Sequence, residues 1–333
     1  MKVLVTGAAG FIGMHVSERL LSMGHEVVGL DNLNDYYDVA LKEARLARLT
    51  AGARFTFQRI DLADDAAMRD LFARAGLQQV VHLGAQAGVR YSLTHPHVYV
   101  DSNVRGTLNV LEGCRACGIE HLVFASTSSV YGLNTHMPYS PHAGADHPVS
   151  LYASTKRAGE LFAHNYAELF GVPATALRFF TVYGPWGRPD MSPMIFARKI
   201  LAGEPLDVFN YGRHRRDFTF IDDIVEGVVR VLAKPPIANP TWDAQTADPA
   251  SSRASFRICN IGHSEPVELL YFIELLERAL GRKAELNLLP MQPGDVENTF
   301  ADMSDLEALV GYRPVVSIEQ GVERFVDWYR SYH

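Results

Sequence analysis

The chain has 333 residues, 47% of them hydrophobic, with 31 basic residues against 38 acidic ones and a formal net charge of −7. This composition excludes a disordered or fibrous protein, and the mild acidity argues against a dedicated nucleic-acid-binding protein, which usually carries a basic face. No apolar run approaches the about 18 residues of a membrane-spanning helix, and three cysteines are too few for a disulfide framework. We therefore expect a cytoplasmic globular protein, built as a pair of domains or as a single large one, without a nucleic-acid or membrane partner.

The first half of the chain alternates short β-branched runs with amphipathic helical patterns. The predicted strands are residues 2–7, 25–31, 55–61, 78–84, 121–127 and 173–180. The predicted helices between them include residues 13–24, 65–76 and 103–118. Nearly continuous apolar strands separated by helices predict an α/β fold, a doubly wound parallel sheet of the Rossmann type. Its ligand crevice should lie at the carboxyl ends of the strands.

Beyond the last of these strands the pattern changes to loops rich in proline, glycine and arginine. The segment 217–233 again has the pattern of a strand followed by a helix, whereas residues 234–256 lack periodicity and resemble a surface loop. We therefore expect a nucleotide-binding domain over residues 1–180, rejoined by about residues 217–240, and a smaller α/β substrate-binding domain over residues 181–333.

A glycine turn connects the strand at residues 2–7 to the first helix. Gly7 permits the tight turn, Gly10 lets the backbone approach a pyrophosphate, and Gly13 lets the helix pack closely on the strand. The free N–H groups at the start of the helix then face the phosphates. Asp31, at the end of the second strand, can hydrogen-bond the adenosine ribose hydroxyls and would repel a 2′-phosphate. This residue predicts NAD rather than NADP as the cofactor.

Further cofactor contacts are expected along the same edge of the sheet. Asn32 follows the acidic residue that ends the second strand, and Asp61 closes the third strand, where it either contacts the adenine or simply ends the strand. The remaining predicted cofactor contacts lie in the glycine turn and near the ends of the third and fourth strands: Phe11, Ile12, Leu62, Leu83, Ala85 and Gln86.

A second helix is expected to carry the chemistry. Ser150 is a suitable N-cap residue, and Tyr152 and Lys156, four residues apart, share one face of the helix that follows. A tyrosine has an ordinary pKa of about 10, which a nearby ammonium and a positive nicotinamide ring would lower. With Thr127 at the end of the fifth strand, this pattern predicts Tyr152 as a general acid–base at an alcohol or sugar hydroxyl. Tyr152 and Lys156 should also contact the cofactor.

Several motifs together resemble one enzyme family. They are GAAGFIG (7–13), LGAQAGVRYS (83–92), ASTSSVYG (125–132), the tyrosine–lysine pair and RFFTVYGPWGRPDM (178–191), followed by QPGDV (292–296). On these motifs the chain resembles an extended short-chain dehydrogenase/reductase and, more narrowly, the UDP-glucuronate 4-epimerases. The resemblance covers nearly the whole chain.

The resemblance implies a tightly held NAD, a UDP-sugar substrate and a catalytic triad of Thr127, Tyr152 and Lys156. It implies the conversion of UDP-glucuronate to UDP-galacturonate through a transient 4-keto intermediate. That intermediate is a β-keto acid and could lose carbon dioxide, so its carboxylate must be held out of alignment with the ketone. The hydroxyl groups implied for this task belong to Ser128, Ser129 and Thr181, the last of which is Asn in hexose-specific relatives.

Arginines in the glycine- and proline-rich loops are implied as contacts of the UDP group. Arg216 is the first choice for a phosphate, Arg188 belongs to a loop that closes over the ligand, and Arg90 could approach the nucleotide sugar. Asp295 could accept a hydrogen bond from the ribose. Residues 212–216 are more basic than is usual in the family, so the assignment among the arginines stays open.

Three other functions remain open from the sequence. A UDP-glucuronate decarboxylase would share the oxidation step but release carbon dioxide. A UDP-glucose 4-epimerase is disfavoured by Thr181. A non-catalytic nucleotide-binding regulator would not need the intact triad.

Two expectations concern assembly and metals. The helices at 94–118 and 150–171 have apolar stripes wider than one sheet face needs, and relatives dimerise through such helices as a four-helix bundle. A homodimer of this kind is therefore expected. Cys114 and Cys117 form a C-x-x-C pair without a second pair, so we interpret them as thiols in a helix core and expect no metal site.

Overall fold

A computed structural model of the protein describes residues 1–292 and 295–333. The strands are β1 (Lys2–Thr6), β2 (Glu26–Asp31), β3 (Phe55–Arg59), β4 (Gln79–His82), β5 (His121–Thr127), β6 (Ala174–Phe179), β7 (Thr181–Tyr183), β8 (Leu206–Val208), β9 (Arg215–Phe220), β10 (Phe256–Ile261), β11 (Pro266–Glu268) and β12 (Leu286–Leu288). The helices are α1 (Phe11–Ser22), α2 (Val39–Thr50), α3 (Asp65–Ala75), α4 (Tyr91–Thr94), α5 (Pro96–Tyr99), α6 (Gly106–Cys117), α7 (Leu151–Phe170), α8 (Ser192–Ala202), α9 (Ile221–Leu232), α10 (Leu269–Leu280), α11 (Ser304–Val310) and α12 (Ile318–Tyr332). Shorter helical turns span Val100–Arg105, Ser128–Tyr131 and Phe209–Gly212.

A seven-stranded parallel sheet forms the centre of the described chain, in the order β3-β2-β1-β4-β5-β6-β10. Its first six predicted strands are confirmed, and β1, β4 and β6 are buried along almost their whole length. Such continuous burial follows from helices that cover both faces. In register, Thr6 of β1 lies beside Leu30 of β2 and His82 of β4, so these strands end at a common edge. The predicted doubly wound sheet is therefore confirmed, with its crevice at that edge.

The second half of the chain builds a smaller α/β region and also contributes to the large sheet. Strands β7, β9 and β11 form one small sheet, and β8 pairs with β12. Helix α9 packs against α1, and β10 pairs with β6 as the last strand of the large sheet. Residues 233–255, all of them described, connect α9 to β10 without a helix or strand.

Helix α2 does not appear among the sequence predictions. Its buried face combines apolar residues with two cationic ones: Leu41, Leu46, Leu49, Lys42 and Arg45. A charged residue at a buried helix position interrupts the apolar period on which such predictions depend. Helix α1 also differs slightly, since it begins at Phe11, inside the glycine turn, rather than at Gly13.

A buried ion pair joins α7 to the sheet. Glu160 of α7 accepts two hydrogen bonds from the Arg178 guanidinium of β6, each 2.9 Å long, and both side chains are fully buried. The Ser126 hydroxyl of β5 donates to the same carboxylate at 2.5 Å. Burial alone would raise the pKa of Glu160, but Arg178 and Ser126 hold it below its usual value. The pair thus fixes α7 against β5 and β6 as a charged, hydrogen-bonded unit.

Removing one partner of this pair tests its contribution to stability. Glu160→Gln should lower the free energy of unfolding by about 3–5 kcal/mol, because it leaves the Arg178 charge buried without a carboxylate. Urea denaturation of the two proteins measures the difference. Glu168→Gln is the matched control, since Glu168 lies on the same helix but pairs with Arg253 at the surface, and it should change stability little. Equal losses in both variants would contradict this assignment.

Candidate active site

The glycine turn between β1 and α1 is held in a close backbone contact. Gly7 has a φ of +71°, in the left-handed region that favours glycine. A Cβ at Gly13 would lie 2.0 Å from the carbonyl oxygen of Gly7, so any larger residue would force the turn apart. Gly10 precedes α1 in an extended conformation, and no side chain in residues 1–292 or 295–333 caps the helix there. The first N–H groups of α1 therefore face the crevice, as a pyrophosphate requires.

Asp31 supports this turn from the end of β2. Its carboxylate accepts hydrogen bonds from the N–H of Ala9 at 3.2 Å and from the N–H of Leu33 at 2.9 Å. Burial raises the pKa of Asp31, while these N–H groups and the nearby Lys42 ammonium oppose the rise. A carboxylate at this position suits a ribose diol and disfavours a phosphate on it.

A cavity of about 370 Å³ follows the edge of the sheet from this turn to α7. All the residues predicted to contact the cofactor line it: Gly7, Gly10, Phe11, Ile12, Gly13, Asp31, Asn32, Asp61, Leu62, Leu83, Ala85, Gln86, Tyr152 and Lys156. Asn32 donates to the Asp61 carboxylate at 2.8 Å, which joins the segments that follow β2 and β3. Within the described residues, the buried amide nitrogen of Gln86 has no hydrogen-bond partner. The turn, the uncapped helix, the strand-end carboxylate and this free amide all fit a dinucleotide.

The residues predicted to be catalytic meet at the far end of this cavity. Ser150 caps α7, its hydroxyl accepting from the N–H of Ala153 at 3.2 Å, as the sequence predicts. Tyr152 and Lys156 line the cavity with Thr127, which ends β5. The Lys156 ammonium donates to the carbonyl of Ala125 at 2.9 Å. This bond fixes the lysine against β5, one turn of helix away from Tyr152.

Burial shifts the pKa values of both groups. It lowers the pKa of the Lys156 ammonium to about 8, against the opposing charge of Glu160. It raises the pKa of the Tyr152 phenol, and the Arg188 guanidinium and Thr127 hydroxyl oppose that rise. The Arg188 guanidinium is therefore one charge that favours the Tyr152 phenolate, and the same effect of Lys156 stays a prediction.

A second cavity, of about 840 Å³, opens toward the smaller α/β region. Arg90, Arg216 and Asp295 line it, as expected for a second ligand group. Ser128, Ser129 and Thr181 line both cavities, so the two meet at these hydroxyl groups, beside Tyr152 in the first cavity. Arg188 lines the first cavity. The structure thus places the predicted substrate residues in one continuous crevice.

Cationic side chains surround Asp295 without forming short contacts to it. The Arg216 guanidinium lies 3.7 Å from the carboxylate and donates to the carbonyls of Val296 and Glu297. Arg90 lies 3.8 Å from the same carboxylate and packs over the Phe209 ring at 5.0 Å. This geometry leaves the carboxylate and both guanidinium groups facing the cavity.

Only part of the basic run 212–216 faces the cavity. His214 and Arg216 line it, while Arg213 is exposed and packs over Tyr211, and Arg215 is exposed as well. Alternation along β9 accounts for the difference between Arg215 and Arg216. Pro293 and Gly294 of the QPGDV motif lie outside the described residues.

Several residues of the crevice were missed by sequence reasoning. Asn34, Tyr36, Tyr37 and Lys42 line the first cavity. Tyr36 donates to Asp190 at 3.0 Å, the same carboxylate that accepts two hydrogen bonds from Arg188. The DNLNDYYD segment after β2 carries a weak signal, since polar and aromatic residues follow a strand end at the ligand edge.

The described residues hold neither a candidate metal site nor a membrane span. They contain no cluster of three or more His, Cys, Asp or Glu side chains placed to hold a metal ion. None of their helices is long and apolar enough to cross a membrane. The three cysteines are free thiols, and Cys117 is exposed at the end of α6, so its assignment to a helix core was wrong, whereas Cys114 is buried.

The fold and crevice define an NAD-dependent enzyme of the extended short-chain dehydrogenase/reductase class. The chain belongs to the NAD dependent epimerase/dehydratase family, whose model matches residues 3–241. It is 50% identical over 330 residues to a probable UDP-glucuronate 4-epimerase from Rhizobium meliloti, a match that covers 99% of this chain and 97% of the relative. It is 45% identical over 338 residues to UDP-glucuronate 4-epimerase 4 from Arabidopsis thaliana, covering 99% of this chain and 76% of that one.

A solved structure shows the same architecture with its ligands. The UDP-glucuronic acid 4-epimerase from Bacillus cereus, in complex with UDP-glucuronic acid and NAD, superposes with a TM-score of 0.88 at 34% identity, covering 100% of both chains. The predicted family and the predicted cofactor, NAD, are therefore confirmed.

The close contact at Gly13 predicts that cofactor binding is lost when the turn is enlarged. Gly13→Ala should reduce the NAD content of the purified protein at least about tenfold, because a methyl group there collides with the Gly7 carbonyl. Absorbance and enzymatic assay of the nucleotide released by acid measure the content. Gly52→Ala is the control, since a Cβ at Gly52 would meet no atom of the described part of the chain within 4 Å. Full NAD occupancy in Gly13→Ala would refute the assigned role of the turn.

Proposed function

We propose that this chain converts UDP-glucuronate to UDP-galacturonate by NAD-dependent 4-epimerisation through a transient 4-keto intermediate. The observation that carries the proposal is the junction of the two cavities. Tyr152 and Thr127 face the cofactor cavity at the point where Ser128, Ser129 and Thr181 open to the second one. A sugar placed at that junction has an acid–base group on one side and hydroxyl donors on the other.

Tyr152 acts as the acid–base residue. Its phenolate takes the proton of the 4-hydroxyl and returns it when the alcohol re-forms. Lys156, fixed on the Ala125 carbonyl, keeps donors available for a cofactor ribose hydroxyl. NAD, when bound, accepts the hydride of C4 and gives it back on the other face of the sugar. Thr127 bridges the 4-oxygen and Tyr152, so the same groups serve both half-reactions without net redox change.

The hydroxyl groups at the junction hold the sugar carboxylate. The 4-keto sugar is a β-keto acid, which loses carbon dioxide when the carboxylate bond aligns with the ketone. Ser128 and Ser129 follow β5 in a short helical turn, and Thr181 begins β7, just after β6, the strand beside β5. Donors from these two neighbouring segments can fix the carboxylate plane away from that alignment. Thr181 also supplies a hydroxyl where hexose-specific relatives carry an amide.

The second cavity binds the UDP group in this proposal. Arg216 and Arg90 contact the phosphates or the nucleotide sugar, and Asp295 accepts from the ribose. Arg188 covers the sugar from the loop after β7. Firm binding of the nucleotide leaves the sugar ring free to turn over, so binding energy far from C4 serves the chemistry.

We assign these tasks to the two predicted domains. Residues 1–180, with later segments returning to them, hold NAD, and residues 181–333 close over the sugar nucleotide. The free thiols support the predicted cytoplasmic setting, because reducing compartments keep cysteines unpaired.

We also propose that the chain forms a homodimer through α6 and α7. These neighbouring helices pack against each other and still expose large apolar side chains: Leu108, Leu161, Leu169 and Phe170. Burying such side chains against a second copy is favourable by about 25 cal/mol per Å² of apolar surface. The same two helices from a partner would complete a four-helix bundle.

Product analysis tests the proposed reaction. The purified protein, without added NAD, should convert UDP-glucuronate to UDP-galacturonate, because the tightly held cofactor is regenerated in each turnover. Anion-exchange chromatography with mass spectrometry identifies the products. Tyr152→Phe is the control, which should keep NAD bound and lose at least about a hundredfold in kcat.

The other outcomes separate the alternatives. A UDP-pentose with carbon dioxide would identify a decarboxylase, and conversion of UDP-glucose alone would identify a hexose epimerase. Binding of NAD and UDP-glucuronate without any product would indicate a nucleotide-binding regulator.

The proposed dimer predicts a mass of twice 36.9 kDa for the wild-type protein in solution. Leu161→Glu should shift this to the monomer, because it places a charge in the apolar interface. Light scattering after gel filtration measures the mass. Ile237→Glu is the control, since Ile237 is exposed but lies in the connection between α9 and β10. A wild-type monomer would show the proposal to be wrong.

A further inference from the structure

The loop at residues 184–191, between β7 and α8, is held by residues of the nucleotide-binding half. His15 of α1 donates from Nε2 to the carbonyl of Pro185 at 3.0 Å. The next residue, Trp186, has a φ of +65°, a left-handed conformation that a bulky side chain rarely adopts. Such strain persists only where surrounding contacts enforce it. The Trp186 ring packs against Trp328 and Tyr332, and the hydrogen bonds to the Trp186 carbonyl come from one side chain of α2.

That side chain is Arg45, which is fully buried. Its guanidinium donates to the carbonyl of Trp186 from Nε at 3.1 Å and from Nη2 at 2.6 Å. Nη2 also donates to the carbonyl of Gly187 at 3.1 Å. A buried charge requires such partners, and here main-chain carbonyls supply them. The rotated peptide at Trp186 therefore points its oxygen at Arg45.

The other side of the same guanidinium holds the dinucleotide turn. Nη1 of Arg45 donates to the carbonyl of Ala9 at 3.1 Å and to the Tyr37 hydroxyl at 2.6 Å. Ala9 lies between Gly7 and Gly10, and its N–H donates to Asp31. One planar group thus connects the pyrophosphate turn to the loop that follows β7. A lysine could not make these contacts, because its ammonium group lacks the donors that a guanidinium holds fixed in several directions.

The loop in turn carries two side chains of the crevice. Arg188 directly follows the carbonyls held by Arg45 and donates to Asp190 at 3.1 and 2.5 Å. Tyr36, from the segment before α2, donates to the same carboxylate. A displacement of the Gly187 peptide would therefore move Arg188, whose charge acts on Tyr152.

We propose that Arg45 is a positioning residue that couples NAD binding to sugar-nucleotide binding. Arg45 holds the dinucleotide turn and the 184–191 loop at the same time. The conformation of these two segments that one ligand favours is therefore also the conformation that the other ligand requires. Such coupling is reciprocal: a UDP group in the second cavity slows the release of NAD, and NAD strengthens the binding of UDP. The inference rests on the proposed function for the identity of the second ligand.

Exchange of the bound NAD for isotopically labelled NAD, with and without saturating UDP, tests the coupling in the holoenzyme. In the wild-type protein UDP should slow exchange about fivefold or more. In Arg45→Met, UDP should slow NAD exchange by no more than about twofold. The KM for UDP-glucuronate should rise by a larger factor than kcat falls. If Arg45 had a purely structural role, Arg45→Met would lower the stability of the protein, but UDP would still slow NAD exchange.

Two further variants complete the experiment. His15→Leu removes one hydrogen bond to the same loop and leaves Arg45 in place, so it should reduce the slowing partly. It decides the question if Arg45→Met does not fold. Arg54→Met is the matched control, since among the described residues the Arg54 side chain donates only to the Leu21 carbonyl at the surface, and it should retain the wild-type slowing.

The outcomes distinguish this inference from the proposed function. If UDP binds the wild-type protein but does not slow NAD exchange, the coupling is overturned and the proposed function is not. The coupling would also be overturned if Arg45→Met folds and UDP slows its NAD exchange as much as in the wild-type protein. If Arg45→Met does not fold, the same result in His15→Leu would overturn the coupling. A wild-type protein that does not bind UDP at all would instead overturn the proposed nucleotide.

Discussion

A buried guanidinium must find hydrogen-bond partners inside the protein, and this requirement organises both sides of the active site. Arg178 is paired with Glu160 behind the catalytic helix, with its guanidinium 4.7 Å from the centre of the Tyr131 ring. Arg45 is bound to carbonyl oxygens behind the dinucleotide turn. Because an unpartnered buried charge is so unfavourable, each group favours the arrangement of the surrounding segments that supplies its partners. The large sheet forms the edge along which the crevice runs, and Arg45 and Arg178 fix the segments around that edge.

The crevice combines rigid and permissive parts. Backbone N–H groups, a strand-end carboxylate and loop arginines lie where we propose that the two nucleotides bind, and the sheet or short turns position them. At the junction of the two cavities the contacts are hydroxyl groups, Ser128, Ser129 and Thr181, which can both donate and accept. The proposed 4-keto intermediate, which must turn over in the crevice, needs such interchangeable partners. The net charge of −7 is no obstacle, since Arg90, Arg188 and Arg216 concentrate positive charge where an anionic ligand would lie.

Much of the nucleotide-binding half was predictable because its signals are local. Six apolar strands, the glycine turn and the Ser150 cap each depend on residues within one short window, and the structure contains all of them. Helix α2 was not predictable, since Lys42 and Arg45 occupy its buried face and hide the apolar period. In the basic run, spacing alone did not show that Arg216 faces the cavity while Arg213 and Arg215 face solvent.

The sequence by itself determined the class of fold, the NAD fingerprint and the tyrosine–lysine pair, because strand order, turns and helix faces follow from neighbouring residues. Only the tertiary structure decided which charges act together. Arg45 meets the Trp186 carbonyl 141 positions along the chain, and Tyr36 meets Asp190 across 154. Partners so far apart are brought together by the packing of the two halves, and their pairing depends on distances and burial that no local pattern contains. Those long-range contacts, rather than the motifs, connect the cofactor turn to the loop over the substrate.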